Sequence, residues 1–291
     1  MTTLGVVFRP QLPPERLRAM VRTAEDAGLD ELWLWEDCFL ESGIATAAAA
    51  LAWSERLRVG VGLLPVPLRN VALTTMEAAT LHRLFPGRVM LGVGHGVQDW
   101  MGQVGARAES PLTLLREHLD AMRALLAGER VTTRGRYVHL DDVALDWPPA
   151  SAPAVYAGAR GPRSVRLTGE AADGTVLDAS TAPEGVRRAR QLIAEGRESA
   201  GRDGAHPVVV YLLTATGPDA EARLRAEQRS GGLDGVAGLG AAGDAEAVAK
   251  AVRQLTEAGA DTVVLQPTAD EPDPEGFIRF VTEDVRPLVT P

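Results

Sequence analysis

The residues best placed to do chemistry follow an apolar run that ends near position 94. The run from Val89 to Gly94 shows no polar alternation, which is typical of a strand covered on both faces in a parallel sheet. Gly94 and Gly96 flank His95, and glycines at a strand end let a flat ligand lie against the backbone. Because parallel α/β folds bind ligands at the carboxyl ends of their strands, this segment predicts the floor of a cofactor pocket. A tight strand-to-helix turn with a solvent-facing histidine is the alternative.

A second candidate site is the segment 158–164, where another predicted strand runs into glycines and then into a helix. Its residues are Gly158, Ala159, Arg160, Gly161, Pro162, Arg163 and Ser164. The free amides and the dipole of a helix N-terminus favour a phosphate, and Arg160 and Arg163 would add charge-assisted hydrogen bonds. The segment therefore predicts an anion site. The alternative is a proline-started helix with two solvated arginines.

An adjacent acidic pair, Glu36 and Asp37, follows the second strand-like run of the chain, residues 32–35. Neighbouring side chains at a strand end point in different directions, so we expect at most one of the two to face a pocket. A carboxylate buried in an apolar cofactor site would have a raised pKa and could donate or accept a proton. Capping of the following segment is the structural alternative. The next residue, Cys38, is expected to be a small buried hydrophobe rather than a reactive thiol.

Other common chemistries lack their sequence signatures. The chain contains no His-x-His, His-x-x-x-His or Gly-x-Ser-x-Gly pattern and no Walker-type phosphate loop. A single cysteine excludes an internal disulfide and a cysteine-based zinc site. We therefore predict no metal site and expect a bound cofactor to supply the chemistry.

Eight strand-like segments, most of them followed by a helix, must position these residues. In a chain of 291 residues, this pattern predicts an α/β fold, a single (β/α)8 TIM barrel with insertions that occupies residues 1–291. The insertions are residues 130–153, which include a hairpin over 131–137, and the glycine-rich stretch 231–243, the more lid-like of the two. The predicted strands are 4–8, 32–35, 59–64, 89–94, 154–158, 175–178, 208–214 and 262–266.

Bulk composition restricts the partners of the chain. With 45% hydrophobic and 24% charged residues it has an ordinary globular composition. The net charge of -9 provides no broad basic surface for nucleic acid or anionic lipid. The N-terminus has no signal-peptide pattern, and no apolar run approaches the ~20 residues that cross a bilayer. We therefore expect a cytoplasmic protein that acts on a small molecule and binds neither nucleic acid nor membrane.

Five segments together resemble the bacterial-luciferase-like flavin monooxygenase superfamily, and within it the branch that uses the deazaflavin coenzyme F420. Their order and spacing span nearly the whole chain. They are 24–33 (Ala-Glu-Asp-Ala-Gly-Leu-Asp-Glu-Leu-Trp), 87–96 (Gly-Arg-Val, then Leu-Gly-Val-Gly-His-Gly), 158–164 (Gly-Ala-Arg-Gly-Pro-Arg-Ser), 171–174 (Ala-Ala-Asp-Gly) and 258–265 (Ala-Gly-Ala-Asp-Thr-Val-Val-Leu).

This resemblance implies a TIM-like barrel with a cofactor ring lying across its mouth. It also implies a non-proline cis peptide at Gly62-Leu63 that supports the ring, and a phosphate-holding loop at 158–161. The implied activity is hydride transfer between F420 and a small organic substrate. The alternatives are an FMN-dependent monooxygenase fed by a separate reductase and a barrel that binds a ligand without catalysis. The predicted cofactor contacts are Gly62, Leu63, Gly94, His95, Gly96, Gly158, Ala159, Arg160 and Gly161.

The predicted catalytic residues are His95, Asp37 and Glu36. In F420 enzymes the end of strand two often reads Asp then His, but here Glu36 and Asp37 stand at those positions. The acid that the sugar-phosphate dehydrogenase branch places after the strand-four glycine corresponds to Val97 here. Both departures argue against a sugar-phosphate dehydrogenase activity. They leave open which residue donates the proton. The resemblance further implies a homodimer, with a flavin or F420 reductase as a possible partner.

Overall fold

The computed structural model describes residues 2–233, 236 and 238–289. Its helices surround the strands, with 3-10 turns at Pro14–Arg16 and Val66–Leu68 and a π-helical turn at Phe280–Val285. The strands are β1 (Thr3–Val7), β2 (Glu31–Leu34), β3 (Arg58–Pro65), β4 (Val89–Gly94), β5 (Val131–Arg134), β6 (His139–Val143), β7 (Val155–Gly158), β8 (Gly174–Leu177), β9 (Val208–Ala215), β10 (Ala241–Ala242) and β11 (Thr262–Pro267). The helices are α1 (Leu17–Asp26), α2 (Gly43–Ala52), α3 (Val71–Leu84), α4 (Gln98–Gln103), α5 (Pro111–Leu126), α6 (Pro162–Ala171), α7 (Pro183–Ser199), α8 (Ala220–Ser230), α9 (Ala245–Ala258), α10 (Pro274–Arg279) and α11 (Arg286–Val289).

Eight parallel strands close into a barrel. Their order is β1-β2-β3-β4-β7-β8-β9-β11, and β11 pairs back to β1. The register is continuous across the closure, with Leu4 opposite Val263 and Gly5 opposite Glu31. The (β/α)8 barrel predicted from the sequence is therefore confirmed, and each predicted strand agrees with the structure to within one residue at either end.

The helices cover the barrel with apolar faces that the sequence spaces at helical intervals. In α1, the buried residues are Leu17, Met20, Val21 and Ala24, which is the spacing of one helix face. Gly28 follows in a left-handed conformation with φ 65°, which turns the chain out of the helix toward β2. None of the described helices combines the length and the apolar character that crossing a membrane requires.

The barrel interior is packed around Trp33, a fully buried residue of β2. Its indole fills space that glycines on the neighbouring strands leave free. A Cβ added to Gly60 would lie 2.4 Å from Trp33 Cδ2, and one added to Gly5 would lie 2.9 Å from Trp33 Cδ1. Tyr211 packs edge-on against the same indole, with ring centroids 6.1 Å apart. The interior is thus a filled core and not a pore, as is usual for this architecture.

The two predicted insertions differ in outcome. A hairpin between α5 and β7 is confirmed. Its first strand, β5, lies within the predicted range 131–137, whereas its second strand, β6, begins after that range at His139. In the glycine-rich stretch, β10 pairs with β9, whereas Asp234, Gly235 and Ala237 lie outside the described residues. The hypothesis that this stretch acts as a lid stays a prediction. Helix α4 was not predicted.

Substitution of Gly60 by alanine tests the packing around Trp33. The added methyl would overlap a side chain that has no room to move, so we expect a loss of about 1–3 kcal/mol in the free energy of unfolding. Urea denaturation monitored by circular dichroism measures this loss. Gly231→Ala is the matched control, because its Cβ would meet its nearest neighbour at 3.5 Å. An unchanged stability of Gly60→Ala would contradict the packing described here.

Candidate active site

The residues that the sequence singles out lie at the carboxyl end of the barrel, which we call the mouth. They come from four neighbouring strands and the segments that follow them. Direct contacts connect these strands: Glu36 N donates to Leu63 O at 3.2 Å, and the ring of His95 reaches Ser164 after β7. The residues are Glu36 and Asp37 after β2, Gly62 and Leu63 in β3, Gly94, His95 and Gly96 at and after β4, and Gly158, Ala159, Arg160 and Gly161 at and after β7.

The side chain of Leu63 lies in a notch formed by two of the predicted glycines. A Cβ on Gly158 would lie 2.3 Å from Leu63 Cδ2, and a Cβ on Gly94 would lie 2.4 Å from the same atom. Leu63 is half-buried, so part of its side chain remains accessible at the mouth. The two glycines therefore make room for an apolar surface that Leu63 presents.

The Gly62-Leu63 peptide bond is cis, which confirms the expectation drawn from the family resemblance. Tyr211 of β9 supports this bond from the barrel interior, since its hydroxyl donates to the carbonyl of Gly62 at 3.2 Å. Burial raises the pKa of Tyr211 far above its ordinary value, so the hydroxyl keeps its proton and acts as a donor. Tyr211 was not predicted as a site residue; the available signal was the single tyrosine among the apolar residues 208–213 of β9.

His95 joins the end of β4 to the beginning of α6. Its Nε2 shares a hydrogen bond of 2.9 Å with the hydroxyl of Ser164. Its Nδ1 is buried and forms no hydrogen bond of ordinary geometry within the described part of the chain. Burial lowers the pKa of His95, and the backbone of Pro111 partly opposes this effect, so the imidazole is neutral at pH 7. Gly96 follows with φ 65°, and its Cβ would lie 2.9 Å from Pro65 Cβ.

The N-terminus of α6 faces open space. Gly161 is the N-cap residue and supplies no side-chain hydrogen bond, so the amides of the first turn keep their capacity to bind an anion. A Cβ on Gly161 would meet no atom within 4 Å. Ala159 anchors the loop, because its N–H donates to Val176 O at 3.2 Å. Arg160 extends into solvent with its side chain 79% exposed and forms an ion pair with Asp178.

Glu36 is held by three hydrogen bonds from the protein. Arg69 Nε and Nη2 donate to its two carboxylate oxygens at 3.2 and 2.8 Å, and Gly43 N donates at 2.8 Å. Arg69 also pairs with Glu77 at 2.6 Å. The side chains of Arg69 and Glu36 are each only 11% exposed. This arrangement ties the loop after β2 to α2 and favours a structural role for Glu36.

Asp37 has a different environment from its neighbour. Its Oδ2 accepts a hydrogen bond of 2.8 Å from the indole Nε1 of Trp35. Burial raises the pKa of Asp37, and Trp35, Arg9 and Arg160 each oppose this shift. Asp37 therefore keeps a proton to a higher pH than an ordinary aspartate does.

Arg9 is a further mouth residue that the sequence did not predict. It is buried two residues after the end of β1, and its guanidinium donates to Glu227 Oε1 at 2.8 Å and to Pro267 O at 2.9 Å. The same guanidinium lies 5.9 Å from the ring centroid of Trp35. The position of Arg9 immediately after the first predicted strand was the available signal.

Comparison with known proteins identifies relatives along most of the chain. A model of the luciferase-like monooxygenase family matches residues 3–231. The 5,10-methylenetetrahydromethanopterin reductase of Methanolobus tindarius is 30% identical over 227 residues, which cover 78% of this chain and 69% of that protein. The reductase of the same name from Archaeoglobus fulgidus is 29% identical over 217 residues, with coverage of 74% and 64%.

Solved structures share the fold at lower identity. The coenzyme F420 dependent tetrahydromethanopterin reductase from Methanopyrus kandleri superposes with a TM-score of 0.83 and 22% identity, covering 98% of this chain and 99% of that one. An F420-dependent secondary alcohol dehydrogenase in complex with an F420-acetone adduct gives 0.88 and 23%, with coverage of 100% and 99%. The FMN-bound oxygenating constituent of 3,6-diketocamphane monooxygenase from Pseudomonas putida gives 0.78 and 18%, with coverage of 99% and 99%.

Removal of Arg69 tests the structural role of Glu36. In Arg69→Met the buried Glu36 carboxylate loses its cationic partner, so we expect the free energy of unfolding to fall by roughly 3 kcal/mol or more. The double variant Arg69→Met, Glu36→Gln should recover part of this loss because it removes the uncompensated charge. Chemical denaturation of the three proteins gives the values.

Arg107→Met serves as the control, since Arg107 pairs with Asp99 on the surface and should contribute less than about 1 kcal/mol. A double variant no more stable than Arg69→Met would contradict the account of Glu36.

Proposed function

The chain belongs to the luciferase-like monooxygenase family, and we propose that it is an F420-dependent oxidoreductase that transfers a hydride between the deazaflavin and a small organic substrate. The observation that carries this proposal is the combination of an apolar surface and an anion site in one mouth. Leu63 provides the apolar surface, and the open N-terminus of α6 begins a few residues after Gly158, which contacts Leu63. Similarity to the methanopterin reductases, one of which is described as coenzyme F420 dependent, and to the F420-dependent alcohol dehydrogenase favours F420 as the cofactor.

The residues present fit a cofactor that consists of a flat ring and a phosphate. The ring would lie on Leu63, and the phosphate would accept hydrogen bonds from the backbone amides of Arg163 and Ser164. Arg160 would leave its ion pair with Asp178 and form a charge-assisted hydrogen bond to the phosphate. Neutral His95 holds the Ser164 hydroxyl at this end of the site. We therefore assign His95 to the anion end of the mouth.

Deazaflavin F420, when bound, supplies a carrier that takes up or returns a hydride. Oxidation of a carbinol, for example, removes a hydride from carbon and a proton from oxygen, so a second group must accept the proton. Asp37 suits this task because burial raises its pKa and general acids and bases work best with a pKa near the operating pH. Glu36 is committed to Arg69. We assign proton transfer to Asp37 and a positioning role to Glu36.

An FMN-dependent monooxygenase with a separate reductase is the second candidate. The anion site at α6 would accept the phosphate of FMN by the same amides. An FMN-bound monooxygenase also shares the fold. The two candidate functions are distinguished by measuring which cofactor, F420 or FMN, the protein binds more tightly in solution.

We further propose that the chain forms a homodimer through α3. Its outward residues Leu73, Met76 and Leu84 are 49%, 57% and 65% exposed, and with exposed Thr80 they follow one helix face. A largely apolar stripe on an outer helix, interrupted here only by Thr80, is typical of a protein interface. The single domain over 1–291, the cytoplasmic location and the reductase partner stay predictions.

Side-by-side titration of the purified protein with F420 and FMN tests the proposed function. We expect tighter binding of F420. Gly158→Ala should weaken it at least tenfold, because the added methyl displaces Leu63. Arg160→Ala should weaken it about tenfold, which equals about 1.4 kcal/mol. Arg253→Ala, on the distant helix α9, is the control. Preference for FMN would support the monooxygenase, and binding of neither cofactor would overturn both candidates.

The substitution Met76→Glu tests the dimer. A carboxylate in the centre of the apolar stripe would have to be desolvated on association, so we expect a monomer by size-exclusion chromatography with light scattering. Leu288→Glu introduces the same charge on α11 and should leave the dimer intact. A monomeric native protein, or a Met76→Glu variant that remains dimeric, would refute the proposed interface.

A further inference from the structure

Two carboxylates of the barrel accept a hydrogen bond from a tryptophan indole. Trp33 Nε1 donates to Glu31 Oε2, and Trp35 Nε1 donates to Asp37 Oδ2, each at 2.8 Å. The donor and acceptor are two residues apart along the chain in both cases. The acceptor precedes the donor in the first pair and follows it in the second, but the donor, the acceptor and the distance are alike. The differences between the pairs therefore show what each carboxylate is free to do.

The second oxygen distinguishes the pairs. Glu31 Oε1 is bound by Arg58 Nη1 at 3.0 Å, so both of its oxygens have protein partners. Asp37 Oδ1 receives no hydrogen bond from the described residues, and it is not among their buried, unpartnered atoms. Oδ1 therefore reaches solvent at the mouth. Both carboxylate oxygens of Glu31 are therefore occupied by protein groups. In Asp37 one carboxylate oxygen remains available to a ligand.

We propose that Trp35 is a positioning residue that holds Oδ2 of Asp37 and thereby assigns the transferable proton to Oδ1. An indole N–H can only donate, so it binds the carboxyl oxygen that carries no proton. When Asp37 is neutral, its proton resides on the other oxygen, which is the accessible one. The inference rests on the proposed function, in which Asp37 exchanges a proton with the substrate.

Trp35 is itself held from two sides. Its ring lies 6.1 Å from the ring of Tyr211, at an interplanar angle of 38°, and the guanidinium of Arg9 lies 5.9 Å from its centroid. Arg9 is fixed by Glu227 and by the carbonyl of Pro267. These contacts restrict rotation of the indole, so the N–H stays directed at Asp37.

The charged and titratable groups around Asp37 come from three segments. Arg9 after β1 and Arg160 after β7 both favour its ionised form. On its own loop, Cys38 is adjacent, and Glu36 is bound by Arg69. The structure thus supplies two cations that oppose burial, and the indole N–H adds a third contribution of the same sign.

The test uses the indole N–H signals of the protein in two-dimensional 1H–15N NMR spectra across a pH series. The chain has five tryptophans, and Trp35→Phe assigns the signal of Trp35 by its loss. We expect this signal to shift in a single step, with a midpoint above the ordinary aspartate pKa of about 3.9. In Asp37→Asn the signal should remain but lose this pH dependence.

Glu31→Gln is the matched control, because it should change the signal of Trp33 and leave the titration of Trp35 in place. If Trp35→Phe does not fold, the signal is assigned as the one whose pH dependence disappears in Asp37→Asn. A Trp35 signal that is independent of pH, or that still titrates in Asp37→Asn, would overturn the proposal. Since no cofactor is added, failure of F420 to bind would refute the proposed function without affecting this result.

Discussion

The mouth of the barrel depends on one steric constraint, the seating of Leu63 between two glycines. Leu63 fits there because neither Gly94 nor Gly158 carries a Cβ. This contact joins β3 to the ends of β4 and β7, and the loop after β7 then leads directly into α6. The apolar surface and the open helix N-terminus are thus consequences of the same packing.

Charged side chains at the mouth are neutralised by nearby partners and not by the overall charge of the chain. The chain carries a net charge of -9, and three arginines of the mouth are committed to named partners: Arg69 to Glu36, Arg9 to Glu227 and Arg160 to Asp178. Of these three, only Arg160 is largely exposed. An anionic cofactor would therefore be held by backbone amides and by exchange of one ion pair, while Asp37 remains partly shielded from solvent.

Most of the fold could be predicted from the sequence, because buried parallel strands produce apolar runs that are bounded by glycine, proline and charged residues. Helix α4 was missed since its six residues show no apolar periodicity. The contacts of the site were harder to predict. Tyr211 binds the carbonyl of Gly62 across 149 positions of sequence, and Arg9 reaches Glu227 across 218. Such pairings follow from barrel closure, which no local pattern encodes. Likewise, the different roles of Glu36 and Asp37 follow from their partners, above all Arg69 for Glu36 and Trp35 for Asp37.

A crystal structure of the protein with F420 would test the central claim most directly. We expect the deazaflavin ring against Leu63, the phosphate at the amides of Arg163 and Ser164, and Asp37 Oδ1 directed toward the reacting face. The opposite end of the barrel offers cavities of about 480 Å³ beside Asp173 and about 520 Å³ beside Arg58. A cofactor bound in either of these cavities, with the mouth unchanged, would contradict the account.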